Sequence, residues 1–213
     1  MNIRTLTALA ITPLIAVMTG SFLVPSAQGA VTVHVIENDP TSGNASIVPS
    51  ATLPSADFVS PDINFQANDS LNTAVSVFLN NPIFTNQQNG FNPSAAANNL
   101  FMEIVGQTFL SAGANSFVVG HDDGVVLTFA DPSIGNVVNA PGGTSFTTTP
   151  FNVNAPSAGL YGFDLKYTEA YGGGADLVFQ VNGAPVGAAT PEPASLALFS
   201  AGLAGLGLAY RRR

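Results

Sequence analysis

The chain contains neither cysteine nor tryptophan among its 213 residues, and it has only five basic residues and two histidines. The absence of cysteine excludes disulfides, thiolate-ligated metals and cysteine nucleophiles. Arg4 and Arg211–Arg213 lie at the ends, so Lys166 is the only basic residue between positions 30 and 189. Of the 13 acidic residues, only Glu192 lies outside that segment. The resulting negative field repels phosphate groups, which excludes nucleic acids as partners, and it attracts divalent cations.

The common catalytic motifs are also missing. The sequence has no Gly-x-Ser-x-Gly, no His-Glu-x-x-His, no phosphate-binding loop and no dinucleotide fingerprint. His34 and His121 are expected to be strand or turn residues, although His121 stands beside two aspartates and is an alternative third ligand to a metal. We therefore predict no catalytic residue and no enzymatic activity. A hydrolase that acts on polysaccharide through paired carboxylates is the weaker alternative.

The C-terminus has the composition of a processing and sorting signal. It consists of a Pro-Glu-Pro motif, an apolar run and a basic terminus: Pro191, Glu192 and Pro193, then Ala194–Tyr210, then Arg211, Arg212 and Arg213. As a helix, the apolar run would rise about 26 Å, slightly less than the ~30 Å of a hydrocarbon core. We predict a transmembrane helix over 194–210 with the arginines on the cytoplasmic side and the preceding residues outside.

This tail resembles that of the bacterial PEP-CTERM proteins, which combine the same three parts. The resemblance implies recognition by an exosortase, a membrane-embedded cysteine protease that would cut near the motif and pass the protein to the cell surface. An ordinary C-terminal membrane anchor is the alternative. The resemblance covers residues 190–213 and carries no information about the domain that is sorted.

The N-terminus is typical of an exported protein. Arg4 provides a small positive region, an apolar stretch runs from Leu6 to Val24, and Ala27 and Gly29 supply the small residues of a cleavage site. We predict a signal peptide over 1–29, recognised by the Sec translocon and removed by signal peptidase; an uncleaved anchor is the alternative. The mature domain would span 30–189, which is long enough for one well-buried domain.

Within this domain, short β-rich runs alternate with clusters of Gly, Pro, Asn and Asp, and no convincing amphipathic helix is visible. The clearest alternation is in residues 161–168, where Tyr161, Phe163, Leu165 and Tyr167 share one face, as in a half-buried antiparallel strand. We predict an all-β fold, an antiparallel sandwich or barrel, with strands at Val31–Ile36, Thr73–Leu79, Leu100–Leu110, Ser116–Val119, Val125–Phe129, Leu160–Thr168 and Leu177–Val181.

The segment from Asp62 to Asn99 is rich in asparagine. Such a composition predicts a long, solvated, irregular loop, because asparagine favours turns. The alternative is that the side-chain amides bind sugar hydroxyls.

Asp122 and Asp123, followed by Gly124, form the most distinctive polar cluster. One interpretation is a tight hairpin turn in which Asp-Gly supplies a positive φ. The other is a calcium site, because Ca²⁺ binds six to eight oxygen ligands and would relieve the repulsion between adjacent carboxylates. Further oxygen ligands would have to come from neighbouring loops.

Several motifs in this region together resemble a PA14-type domain: Gly120–Val125, Gly159-Leu160-Tyr161, Tyr167-Thr168-Glu169 and the glycine-rich run 172–174 before an apolar strand. The resemblance covers about 100–182 and implies a β-sandwich, lectin-like in several members. It further implies that Asp122 and Asp123 are joined by a cis peptide and ligate Ca²⁺ together with a later asparagine, either Asn136 or Asn139. No tryptophan is available to stack on a sugar.

Two classes of function follow from these observations. The first is an exported module of the cell surface or extracellular matrix that binds exopolysaccharide with the help of Ca²⁺. The second is a structural matrix protein without a specific ligand.

Overall fold

The computed structural model describes residues 29–41, 43–67, 72–170 and 174–187. The predicted signal peptide, apart from Gly29, and the predicted sorting tail lie outside the described residues. The described residues form one short helix and twelve strands, which are, in chain order, β1 (Val31–Ile36), β2 (Ser55–Ser60), β3 (Asn64–Gln66), α1 (Val75–Phe78), β4 (Thr85–Gln88), β5 (Leu100–Leu110), β6 (Gly113–Asp122), β7 (Gly124–Phe129), β8 (Asn136–Ala140), β9 (Thr147–Ala155), β10 (Gly159–Glu169), β11 (Asp176–Val181) and β12 (Ala184–Pro185). No helix among these residues is both long and apolar enough to cross a bilayer.

The strands form two antiparallel sheets. The larger sheet has seven strands in the order β4-β2-β1-β5-β10-β7-β8, and its longest ladder joins β5 to β10. The smaller sheet has five strands in the order β12-β11-β6-β9, with β3 also paired to β11. The all-β prediction is therefore confirmed.

The core lies between the inner faces of the two sheets, and aromatic rings join them. Phe163 of β10 lies edge-to-face on Phe179 of β11 with 5.4 Å between ring centroids, and Phe117 of β6 contacts Phe129 of β7 at 5.7 Å. Each fully buried phenylalanine contributes about 1.5–3 kcal/mol by leaving water. The alternation predicted for residues 161–168 is confirmed, because Tyr161, Phe163, Leu165 and Tyr167 all face the core.

The strand predicted at Thr73–Leu79 is wrong, because Val75–Phe78 form the single-turn helix α1. Val75, Phe78 and Leu79 are buried, which is the i, i+3, i+4 spacing of one helical face. In so short an apolar run this spacing is hard to distinguish from strand alternation. The turn ends at Asn80 and Asn81, which both have positive φ.

The solvated loop predicted from Asp62 to Asn99 is also wrong in part. This segment contains β3, α1 and β4, and Phe65 and Phe78 are fully buried. Several of its asparagines occupy positions where the backbone has a positive φ. These are Asn80, Asn81, Asn86, Asn89 and Asn99, with φ values between 48° and 62°. Asparagine tolerates this left-handed region better than other non-glycine residues, which explains the enrichment without a ligand.

Glu37, directly after β1, is a buried carboxyl group, only 5% exposed. Oε2 accepts a hydrogen bond from the Asn92 N–H at 3.0 Å, whereas Oε1 has no hydrogen-bond partner among the described residues. Burial raises the pKa of Glu37 above its ordinary value, and the Asn92 N–H offsets part of that rise. The carboxyl group therefore releases its proton at a higher pH in the folded state than in the unfolded chain.

We expect Glu37→Gln to flatten the dependence of stability on pH. With a raised folded pKa, the contribution of Glu37 to stability is complete below its unfolded pKa, ~4.3, and is lost as pH rises through the folded pKa. The variant lacks this titration, so its unfolding free energy should rise relative to wild type from about pH 4 upward. Urea unfolding of both proteins across this window measures the difference, and parallel curves would contradict the assignment.

Candidate functional site

The Asp122-Asp123-Gly124 segment crosses from one sheet to the other. β6 ends at Asp122 in the smaller sheet, β7 begins at Gly124 in the larger sheet, and the Asp122–Asp123 peptide bond is cis. The interpretation as a hairpin is therefore wrong, and φ of Gly124 is not positive. Glycine is required for a different reason: a Cβ here would collide with the backbone carbonyl oxygens of Pro141 and Gly43.

Three carboxylates converge at this crossover. Asp122, Asp123 and Glu169 each offer one oxygen, and the three oxygens lie within 4.8 Å of one another. Asp122 is half-buried, whereas Asp123 and Glu169 are 4% and 1% exposed. Glu169 reaches the crossover because β10 pairs with β7, which places Thr168 opposite Gly124. The sequence alone predicts no metal-binding role for Glu169, and its Tyr-x-Glu motif is the one signal that marks this residue.

Backbone amides of two neighbouring segments hold Asp123 in place. Oδ1 accepts a hydrogen bond from the Thr144 N–H and Oδ2 accepts one from the Ala170 N–H, both at 2.8 Å. Its own N–H donates to the carbonyl of Thr168 at 3.1 Å. Hydrogen bonds to an ionised carboxylate are among the stronger ones in proteins. The position of this carboxylate is therefore fixed by the fold.

His121 does not join the carboxylates as a ligand. It is 1% exposed, and its Nδ1 lies 2.6 Å from the Asp123 carbonyl oxygen, which can only accept, so Nδ1 carries the proton. Its Nε2 lies 3.3 Å from Oγ1 of Thr149. Both ring nitrogens are thus engaged in positioning the crossover. His34 lies elsewhere, in β1, where its Nδ1 is 2.6 Å from Oδ1 of Asp57.

A fourth carboxylate adds to the negative charge, because Asp176 of β11 is directly opposite Asp122. The buried Tyr167 hydroxyl donates to the backbone carbonyl of Asp122. Burial raises the pKa of Tyr167 well above its ordinary value, and the charges of Glu169, Asp122, Asp123 and Asp176 raise it further. The tyrosine therefore stays neutral and serves as a donor.

No basic side chain of the described residues offsets this charge. Lys166, their only lysine or arginine, alternates with Tyr167 and so points to the opposite face of the larger sheet. There its Nζ bonds Oδ2 of Asp164 at 2.7 Å and lies 3.6 Å from Oε1 of Glu103. These two carboxylates raise the pKa of Lys166. Among the described residues, the one lysine therefore lies away from the four acids at the crossover.

Comparison with solved structures identifies the fold. The PA14 domain of the MpAFP antifreeze protein superposes with a TM-score of 0.52 at 19% sequence identity, over 72% of this chain and 79% of that chain. The PA14 sugar-binding domain from an RTX adhesin gives 0.50 at 18% identity, over 75% and 94%. The described residues adopt the PA14 fold. The A domain of epithelial adhesin 6 from Candida glabrata, solved in complex with Galβ1-3GlcNAc, gives 0.51 at 13% identity, over 76% and 86%.

The tail of the chain is identified separately. Residues 189–213 match the PEP-CTERM protein-sorting motif, so the domain with the PA14 fold is followed by a sorting signal, which implies export and sorting to the surface. Both predicted resemblances are thereby confirmed. No curated protein sequence matches the chain significantly. Three groups of predicted site residues lie outside the described residues: the motif residues Pro191, Glu192 and Pro193, the terminal Arg211, Arg212 and Arg213, and Ala27 of the cleavage site.

The two asparagines predicted as further ligands lie along β8 at the edge of the larger sheet. Asn139 is opposite Val126 and Asn136 is opposite Thr128 of β7. At ~3.4 Å per residue, these positions are about 10 Å and 17 Å along the strand from Asp123. Register therefore places neither residue beside the aspartate pair, and Glu169 takes the third position in the carboxylate group instead.

Proposed function

We propose that this chain is an exported surface protein whose PA14 domain binds carbohydrate with the aid of a Ca²⁺ ion held by Asp122, Asp123 and Glu169. The observation that carries the proposal is the convergence of three carboxylate oxygens within 4.8 Å at a crossover where backbone N–H groups hold both oxygens of Asp123. The RTX adhesin domain, described as sugar-binding, and the sugar complex of the Candida adhesin support the same reading, because both share this fold.

The donor set fits calcium. Two oxygens that bind one Ca²⁺ at 2.3–2.6 Å can be at most about 5 Å apart, and the three carboxylate oxygens satisfy this limit. All three donors are hard oxygens with no imidazole or thiolate among them, a set that favours Ca²⁺ or Mg²⁺ over Zn²⁺. Because three protein groups leave ligand positions unfilled, a bound ion would supply positions for sugar hydroxyl oxygens.

The remaining parts of the proposal concern processing. The signal peptide over 1–29 would direct the chain to the Sec translocon and signal peptidase, and the tail would hold it in the membrane by the helix over 194–210. An exosortase would then release it to the surface or matrix by cutting near Pro193. Mass spectrometry of surface material tests this step, since a peptide ending in intact Arg213 would contradict processing.

A glycan array tests the proposed function of the domain. We expect the full-length protein to bind at least one glycan in the presence of Ca²⁺, with the signal reduced at least about tenfold by EDTA, by Asp122→Asn or by Glu169→Gln. Glu103→Gln, an acid on the outer face of the larger sheet, is the matched control and should bind as wild type does. An array without signal under any condition would leave a structural matrix protein as the better description.

A further inference from the structure

Phe146 is a half-exposed aromatic residue on the smaller sheet. It lies directly before β9, and 50% of its surface is exposed. The tip of its ring covers Gly120 of β6, because a Cβ added at Gly120 would lie 3.1 Å from Cζ and 3.2 Å from Cε2 of the ring. Glycine at position 120 therefore makes room for the ring, which keeps a large apolar surface in contact with solvent.

The ring lies beside the carboxylates. Gly120 and Asp122 are two residues apart in β6, so they share the outer face of the sheet at a separation of about 7 Å. Asp122 forms one cross-strand row with Asp176 and Gln66, and Gly120 forms the next row with Val178 and Asn64. An aromatic ring, two carboxylates and two amides thus occupy one patch about two strand spacings wide.

We infer that this patch is a sugar subsite in which the apolar face of a neutral pyranose stacks on Phe146 while its hydroxyls face the row of Asp122, Asp176 and Gln66. The inference rests on the proposed function, which it extends to a class of sugar. A pyranose has one face of C–H groups and a rim of hydroxyls, and it matches a patch that combines an aromatic ring with hydrogen-bond acceptors. Phe146 supplies the aromatic surface in a domain that has no tryptophan.

The negative charge of the site is expected to favour neutral sugars over acidic sugars. Four carboxylates surround the crossover, and one divalent cation would neutralise only half of that charge. The remaining field repels uronates and other acidic sugars, because Lys166, the only lysine or arginine among the described residues, points to the opposite side of the domain. Neutral hexopyranoses should therefore bind better than uronates of the same ring configuration.

The experiment compares wild type with Phe146→Ala, using titration calorimetry in Ca²⁺ with methyl galactoside, methyl mannoside, methyl glucoside and sodium galacturonate. We expect at least one neutral glycoside to bind, galacturonate to bind at least about tenfold more weakly than methyl galactoside, and Phe146→Ala to lose about tenfold in affinity, comparable with one aromatic contact. Phe146→Tyr should retain the affinity. Leu160→Ala, which removes a side chain of similar exposure from β10, is the control and should change nothing.

The outcomes separate this inference from the function on which it rests. Equal affinity of Phe146→Ala and wild type, or tighter binding of galacturonate than of every neutral glycoside, overturns the subsite while the calcium-dependent lectin stands. Loss of sugar affinity in Phe146→Ala with Ca²⁺ stabilisation unchanged supports the subsite. Absence of binding by any of the four sugars overturns the subsite, and glycan-array binding then decides whether the proposed function stands.

Discussion

Calcium at 100 times its Kd is expected to raise the free energy of unfolding of the full-length protein by about 2.7 kcal/mol, because an ion held at the proposed site would bind the folded state alone. For a domain of this size, the increment corresponds to roughly 5–10 °C in melting temperature. The physical reason is that three carboxylate oxygens within 4.8 Å are assembled only when β6, β7 and β10 are in register. Thermal melts over a series of Ca²⁺ concentrations measure the effect.

Glu169→Gln distinguishes the loss of a metal ligand from general damage to the fold. General damage would lower the free energy of unfolding both with and without Ca²⁺. Without metal, the variant removes one of four crowded negative charges, so it should be at least as stable as wild type. With Ca²⁺, it lacks one ligand and should lose most of the increment. The order of stability of the two proteins is thus expected to reverse when the ion is added.

Asp122→Asn is expected to behave like Glu169→Gln, whereas Asp123→Asn is a less selective variant. Both oxygens of Asp123 accept backbone hydrogen bonds, and an asparagine would turn its amide N–H₂ towards one of those N–H donors. Asp123→Asn should therefore lose stability with or without metal. Glu103→Gln controls for charge alone and should keep the full increment. An equal increment in Glu169→Gln and wild type would contradict a site at the crossover.

The features that the sequence predicted well depend on local patterns. β1 and β5 have the predicted bounds because their buried faces are apolar and their ends are marked by turn residues. β10 shows the clearest alternation because one face contacts the core and the other contacts solvent. The Asp122-Asp123 pair is recognisable in the sequence because adjacent carboxylates repel each other unless a cation compensates their charge.

The missed features depend on distant partners. β9 contains Pro150 and several threonines, and it is a strand because it forms the edge of the smaller sheet on β6, where a proline is tolerated. Glu169 is far from Asp123 in sequence, and only the pairing of β10 with β7 brings them together. No sequence motif indicates a role for Phe146, because the residue that its ring covers, Gly120, lies on another strand.

Gly124→Ala is expected to destabilise the protein by about 3 kcal/mol, at the upper end of the cost of overpacking. A methyl group at this position would meet the backbone carbonyl oxygens of Pro141 and Gly43, and backbone cannot move aside as a flexible side chain can. The carbonyl of Pro141 also accepts the hydrogen bond of the Ala45 N–H at 2.9 Å, so a displacement would disturb that contact as well. Urea unfolding of the variant and of wild type measures the loss.

Gly142→Ala is the matched control, since this glycine is the next residue after Pro141, has no positive φ and has no atom within 4 Å of its added Cβ. Its stability should be unchanged or higher by up to about 1 kcal/mol, because alanine restricts the unfolded chain. Displacement of the 141–144 segment in Gly124→Ala should also weaken Ca²⁺ binding, since the Thr144 N–H holds one oxygen of Asp123. If Gly124→Ala were as stable as wild type, the carbonyl oxygens of Pro141 and Gly43 would not lie against Gly124. The claim that the backbone holds the carboxylates in place would then be contradicted.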